Sequence, residues 1–306
     1  MRDTFIKTLT ECVETQKNIF LITGDLGFGV LTEFAKNYPK NFLNAGVAEQ
    51  NMTGVAAGMA MEGRILFTYS IGNFSTLRCL EQIRNDVCYH DANVKIVSVG
   101  GGFSYGALGF SHHATEDVAI LRSIPGLTVV VPGTKWEVEQ ATKAIIQYHG
   151  PCYLRLDKSS AEDSGTKIFQ LGKARIFREG TDVTLVTMGG ILSEVQKAAE
   201  RVKESHGISC AIINAHTIKP FDPALIVNQA RSSTRVITIE EHVIDGGLGS
   251  LVAESLADAN VQLSHFKRLG LTNCFPTVVG DQQYLRSIYK MDVNEITSSI
   301  LRAMNK

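Results

Sequence analysis

The sequence predicts an α/β fold of two domains, each built on a mainly parallel sheet flanked by helices. Three observations predict it. Short apolar, β-branched runs recur along all 306 residues. Between them lie glycine-containing turns and stretches with apolar residues at helical spacing, the alternation that a covered parallel sheet requires. The alternation breaks once, from Asp157 to Gly165, in a run of Lys, Ser, Ala, Glu, Asp and Gly with no apolar period, and then resumes. The expected organisation is a first domain over 1–160, a linker over 161–175 and a second domain over 176–306.

The elements follow in order. Phe5, Leu9, Cys12 and Val13 share one helical face, so the chain opens with an amphipathic helix. Ile19–Thr23 reads as a strand running into the turn Gly24-Asp25-Leu26-Gly27. Asn41–Asn44 is strand-like and feeds a helix that begins near Glu49. Ile65–Tyr69 is a strand followed by one long helix from about Asn73 to His90. Val94–Val99 enters a glycine-rich loop. Thr128–Pro132 precedes a helix through Trp136, and Cys152–Leu156 closes the first series. The second series has strands at Val183–Thr187, Cys210–Ile213 and Val236–Ile239, a Pro220–Pro223 turn, a Gly246-Gly247 turn with its helix, and a last helix from about Val293.

Composition excludes several classes. With 44% hydrophobic and 20% charged residues and a formal charge of -1, the chain has the make-up of a globular protein with a sizeable core. It carries no basic footprint for nucleic acid and no polybasic membrane patch. The six cysteines form no CxxC pair, which points to free thiols in a reducing compartment and no zinc site. No apolar run reaches membrane-span length, and the charged start lacks a signal-peptide pattern, so a cytoplasmic location is expected.

A few residues carry chemistry. Glu49 stands at the mouth of a run of small residues, Thr53-Gly54-Val55-Ala56-Ala57-Gly58, that lets another chain or a ligand approach closely. A first-turn acid also suits the helix dipole, so Glu49 reads either as a cap or as a functional carboxylate. His112-His113 lies in a loop past a strand, where α/β sheets place ligands; adjacent histidines diverge and make a poor metal pair. Gly24-Asp25-Leu26-Gly27-Phe28-Gly29 has the wrong spacing for a dinucleotide fingerprint, and there is no P-loop, nucleophile elbow or zincin motif.

The order of motifs resembles the C-terminal half of a transketolase. The matching residues are Gly24-Asp25-Leu26, Gly46-Val47-Ala48-Glu49-Gln50-Asn51, Thr68-Tyr69-Ser70 with Phe74, Ser111-His112-His113, Ile124–Pro132 and Thr217–Asp222. The resemblance covers nearly the whole chain. It is strongest to the stand-alone small subunits of two-chain transketolases. Deoxyxylulose-phosphate synthases and the beta subunits of 2-oxo acid or acetoin dehydrogenases are the alternatives, with a catalytically silent subunit of the same fold as a third reading.

The resemblance implies thiamine diphosphate as cofactor and a pyrimidine-binding domain followed by a transketolase C-terminal domain. Glu49 would then meet the aminopyrimidine N1′, in a dry cleft that raises a carboxyl pKa. Phe74 would pack on that ring, with Asp25 and Leu26 at its rim. His112 and His113 would contact substrate oxygens. Phe74 as plain core packing and Asp25 as a helix cap stay open. The chain contains no Gly-Asp-Gly, the motif with which this family holds Mg²⁺ and the diphosphate. A partner, an N-terminal transketolase subunit, would supply that half, in a dimer or heterotetramer. Gly100 and Leu108 fall where transketolases carry a substrate-binding His and Asp. Lys158 falls where an Arg grips the sugar phosphate, keeping a point charge without the bidentate fork; it reads equally as a linker residue. The expected reaction moves a two-carbon ketol unit from a ketose to an aldose.

Overall fold

A computed structural model describes residues 1–305. The described residues contain twelve strands in two sheets. In chain order the first seven are β1 (Ile19–Thr23), β2 (Phe42–Asn44), β3 (Ile65–Ile71), β4 (Val94–Val99), β5 (Thr128–Val130), β6 (Cys152–Leu156) and β7 (Arg175–Arg178). Then follow β8 (Val183–Thr187), β9 (Cys210–Asn214), β10 (Thr217–Lys219), β11 (Arg235–Val243) and β12 (His265–Leu271). The first sheet runs β10-β5-β6-β4-β3-β1-β2 and the second β12-β11-β8-β9-β7. Both are parallel except for β10 against β5 and β7 against β9. The central strands β4, β6, β8 and β9 are buried along their whole length, as helices on both faces of a parallel sheet require, and Lys95 of β4 and Arg155 of β6 are buried with them.

The parallel strands of the first sheet end at one edge. β1 pairs with β2 on one side and with β3 on the other. The chain therefore reverses its winding between β1 and β3, and such a reversal opens a crevice beyond the strand ends. The helix Glu49–Met61 starts at this edge.

Three features depart from the expectations. The segment after β3 is not one long helix: a turn of α-helix at Gly72–Ser75 breaks at Thr76 and resumes as short 3-10, α and π turns to Cys88. The cause is local. The Ser75 and Thr76 hydroxyls donate back to the carbonyls of Ile71 and Gly72, in competition with the helix ladder. Strands β7, β10 and β12 have no clear signal in the sequence, because each is short or interrupted by charge. Finally, Thr217–Lys219 lies within the expected second domain, yet it joins the first sheet as β10.

The two sheets share one apolar core, in which Ile22, Ile96 and Val129 pack in the same cluster as Val186, Ile213 and Val236. A buried polar seam reinforces it. Arg155, 1% exposed, lies with Nε 3.1 Å from Asp117 Oδ2. Its Nη2 donates to the carbonyls of Ala114 (2.9 Å) and Glu241 (3.1 Å), so one side chain of β6 ties a loop of the first sheet to β11 of the second. β11 slips register against β12 between Ile239 and Val243, which frees Glu240, Glu241 and His242 from regular pairing at this seam. Gly101 sits against the Arg155 guanidinium and the Asp157 carboxylate, where a Cβ would overlap both.

Two measurements test the seam. Arg155→Ala leaves two buried carboxylates without their cation and should lower the unfolding free energy by about 3–5 kcal/mol in urea titration. His242 is wholly buried, with Nδ1 donating to the Val243 carbonyl (2.7 Å) and Nε2 accepting from the Ala119 N–H (3.3 Å). Burial pushes this imidazole, and that of His216, down to about 4, against the opposing pull of Asp117 on one and Glu137 on the other. Both should titrate near pH 4 by NMR. The unfolded chain binds these protons near pH ~6.5, so each histidine's contribution is complete above that value and is lost as pH falls from there through 4.

Candidate active site

The site is assembled where β1, β2 and β3 end. Glu49 opens its helix behind Ala48, and its side chain is 3% exposed. Gly24, the first residue after β1, makes that burial possible: a Cβ there would lie 3.2 Å from Glu49 Cγ. Arg78 Nη1 donates to Glu49 Oε2 at 2.7 Å, while no group among the described residues donates to Oε1. The Arg78 guanidinium also lies 4.5 Å from the centre of the Phe74 ring, within cation–π range. Carboxylate, guanidinium and aromatic face therefore form one unit, with an acceptor oxygen left over.

Phe74 is half-buried, and its ring meets His112 edge-on with centroids 5.1 Å apart. Its partners are the guanidinium and an imidazole, so it belongs to the rim of the crevice and not to the apolar core. The His112 loop is held by Asn73, whose Nδ2 donates to the His113 and Ser111 carbonyls. His112 Nδ1 lies 3.1 Å from Ser111 Oγ, which leaves Nε2 open to a ligand.

Asp25 takes a left-handed conformation, φ 57°, a region that Asp tolerates better than most residues. Asn44 fixes it from β2: Oδ1 accepts from the Asp25 N–H (3.0 Å) and Nδ2 donates to Asp25 Oδ1 (2.9 Å). The same Asn44 Oδ1 accepts from the Gly46 N–H at 3.0 Å, so Asn44 shapes the approach to Glu49. Asp25 thus braces a turn and caps no helix. Leu26 is half-buried beside it, its carbonyl accepting from Thr23 Oγ1 at 3.2 Å.

Two expected site residues lie apart. His113 is 1% exposed, with its ring edge-on to Phe103 and Nε2 3.4 Å from the Gly106 carbonyl; burial holds its imidazole below the usual range. It supports the loop from inside and does not face the crevice, a correction to its expected substrate contact. Lys158 follows β6 on the same sheet edge, but it lines two other clefts. One, of about 890 Å³, is bounded by the Ser104–Leu108 loop, Lys197 and Arg286. The other, of about 350 Å³, is lined by Arg2, Gly100 and Tyr105. Sequence reasoning does not find Arg78, Asn73 or Asn44. Arg78 stands four residues after Phe74, but no residue-type pattern marks a basic residue as the partner of an acid far earlier in the chain.

Comparison with known proteins places the chain in a family. Residues 1–163 match the transketolase pyrimidine binding domain, and residues 172–296 match the transketolase C-terminal domain. The chain belongs to the transketolase family. It is 33% identical over 309 residues to a subunit of the apulose-4-phosphate transketolase of Phocaeicola vulgatus, covering 100% of this chain and 97% of that protein. It is 36% identical to the 6-deoxy-6-sulfo-D-fructose transketolase subunit SqwH of a Clostridium species, covering 97% of this chain and 92% of the relative. Among solved structures it superposes on a split-gene transketolase, described as an inactive beta4 tetramer. The TM-score is 0.87 and the identity 33%, over 99% of this chain and 97% of that one. This transketolase-family chain therefore matches separate subunits over nearly their full lengths.

Asn73 gives the first test of the geometry. Asn73→Ala should cost about 0.5–1.5 kcal/mol for the lost hydrogen bonds and speed amide hydrogen exchange at Ser111–Ala114, with exchange in β4 and β6 unchanged.

Proposed function

We propose that this chain is the small subunit of a two-chain, thiamine-diphosphate-dependent transketolase, and that Glu49 is its cofactor-activating residue. The observation that carries this reading is the free Oε1 of a carboxylate that is 3% exposed, beside an aromatic face, at a strand-end crevice. That oxygen is the one part of the carboxylate still open to the crevice, so it is free to meet a donor from a ligand. An aminopyrimidine ring fits that opening, since its N1′ can share a proton with a carboxyl oxygen and its π-face can rest on Phe74. When bound, thiamine diphosphate supplies the carbon nucleophile that breaks and makes the carbon–carbon bond.

The residues of this chain have separate tasks. Glu49 holds the proton at Oε1, while Arg78 fixes the carboxyl orientation through Oε2 and adds positive charge to the rim. Phe74 fixes the plane of the ring, and Asp25 and Leu26 shape its edge. His112, with Nδ1 occupied by Ser111, directs Nε2 to a substrate oxygen and stabilises charge developing there. Lys158, further along the edge, meets the distal end of a sugar phosphate as a point charge. The family's Gly-Asp-Gly metal motif is not in this sequence, and among the described residues no cluster of His, Cys, Asp or Glu is built to hold a metal ion. In this reading Mg²⁺ and the diphosphate are held by an N-terminal partner subunit, and the working form is a cytoplasmic hetero-oligomer.

Reconstitution tests this. The chain is combined with a partner bearing Gly-Asp-Gly, thiamine diphosphate, Mg²⁺, a ketose donor and an aldehyde acceptor. Ketol transfer should appear with wild type and fall by about 10²–10⁴ with Glu49→Gln, while the melting temperature of the isolated chain changes little. Full activity of the Glu49→Gln pair sinks the assignment. Arg78→Ala should lower transfer less, by about tenfold, because Glu49 keeps its place over Gly24 but loses one charge-assisted hydrogen bond.

A further inference from the structure

The face of the first sheet that packs under the helix Glu49–Met61 changes character at the strand ends. Register sets Thr68 of β3, Ile96 of β4 and Tyr153 of β6 side by side, and one step further along it aligns Ser70, Ser98 and Arg155. Deeper in the sheet this face is apolar, with Leu66 and Ile96 in one core cluster with Met52, Ala56 and Cys79. At its end three hydroxyls stand where a covered sheet favours apolar side chains. Thr68 is 1% exposed, and Ser70 and Ser98 are wholly buried. The residues around Glu49 make no use of them.

None of the three hydroxyls has a hydrogen-bond partner among the described residues. The neighbouring polar groups are already spent. Tyr153 gives its hydroxyl proton to Asp117 Oδ2. Burial and the Asp117 charge push the Tyr153 phenol far up, and Ser98 opposes them only from outside hydrogen-bond geometry. The turn Gly72–Ser75, which packs on β3 and β4, is followed by Thr76, but the Ser75 and Thr76 protons go back to the Ile71 and Gly72 carbonyls. The layer ends on an acid. Asp117 is wholly buried and its Oδ1 lacks a donor, since His242 Nε2, 3.7 Å away, already accepts from the Ala119 N–H. Buried hydroxyl and carboxylate oxygens without partners are strongly unfavourable, and packing does not offset four of them in one layer.

We infer that Thr68, Ser70, Ser98 and Asp117 form a binding site for a small cluster of internal water molecules, lying between the Phe74 turn and the sheet. Asp117 Oδ1 requires a donor, while each hydroxyl gives one proton and accepts another. Water joins both kinds through about three hydrogen bonds per molecule. A cation would meet the Arg155 guanidinium beside Asp117, and an anion would meet the carboxylate, so the ligand is neutral. Burial of all four residues leaves no opening for a larger neutral solute. The site has a consequence for the crevice. Asn73 and Phe74 stand on Gly72–Ser75, so the turn that presents them rests partly on bound water.

A high-resolution crystal structure of the isolated chain should show ordered waters bonded to Asp117 Oδ1 and to Ser70 Oγ or Ser98 Oγ. A protein donor on Asp117 Oδ1, or a dry layer, overturns the inference. Thermal melting gives an independent sign. With water holding the hydroxyls, Ser70→Ala and Ser98→Ala should each lower the melting temperature by about 2 °C, the loss of one hydrogen bond. A dry layer gives the opposite sign, a rise, because each substitution then removes a polar group buried at a loss. Relaxation dispersion of solvent oxygen counts long-lived waters, and Ser98→Ala should hold at least one fewer than wild type; equal counts sink the assignment. Amide exchange at Asn73–Thr76 should quicken in the same variant, with exchange in β12 unchanged. Unaltered exchange at the turn rejects a water layer beneath Phe74. If a variant does not fold, the wild-type crystal structure decides alone.

Discussion

The contact on which most of this structure depends is a buried cation, Arg155, set between Asp117 and Asp157. Taking a guanidinium out of water is unfavourable, and the compensation must come from partners already in place. Those partners come from three elements: the helix after the His112 loop, the end of β6, and the β11 carbonyl of Glu241. The arrangement is therefore cooperative. If one element moves, the others are left with an unpaired buried charge.

This constraint explains how a glycine-rich loop can hold side chains in place. The chain from Gly100 to Ala114 has little apolar anchorage of its own. It is closed at its base by mutual backbone hydrogen bonds between Gly102 and Ala114, and the carbonyl of Ala114 accepts from Arg155. Glu241 then reaches in from β11 to accept from the Phe103 N–H, and Arg286 steadies Glu241 in turn. His113, turned inward on Phe103, fills the loop's interior. With the base and interior fixed, His112 and Tyr105 are free to project. The second domain thus helps fix the loop that carries His112, while Glu49 and Asp25 are held within the first.

Much of this is legible in the sequence, and the remainder escapes for definite reasons. Buried strands such as Val94–Val99 and Val183–Thr187 announce themselves because burial on both faces favours runs dense in Val, Ile, Leu and Thr. Arg175–Arg178 and Thr217–Lys219 do not, since an edge strand pairs on one side only and tolerates charge. Glu49 is visible as an acid among small residues, and motif order distinguishes its two readings. Arg78 is not, because an ion pair between residues far apart in sequence leaves no period to detect. The pair His112-His113 shows the same limit at closest range. Two identical neighbours have opposite fates, one in the crevice and one in the core, and only the backbone turn between them decides which.

The antiparallel pairing of Thr217–Lys219 with β5 has a consequence for how the chain is made. During synthesis the parallel core of the first sheet, through Leu156, emerges well before Thr217. Until then β5 is an open edge, with unpaired N–H and C=O groups that could recruit a strand from any neighbouring nascent chain. The gap is closed only after β8 and β9 have been translated, by a segment that could not pair there unless the second sheet's chain had already turned back. The two halves are consequently not independent beads on a string. The second supplies the strand that covers β5, and the three-residue β10 takes its place as the edge of the first sheet.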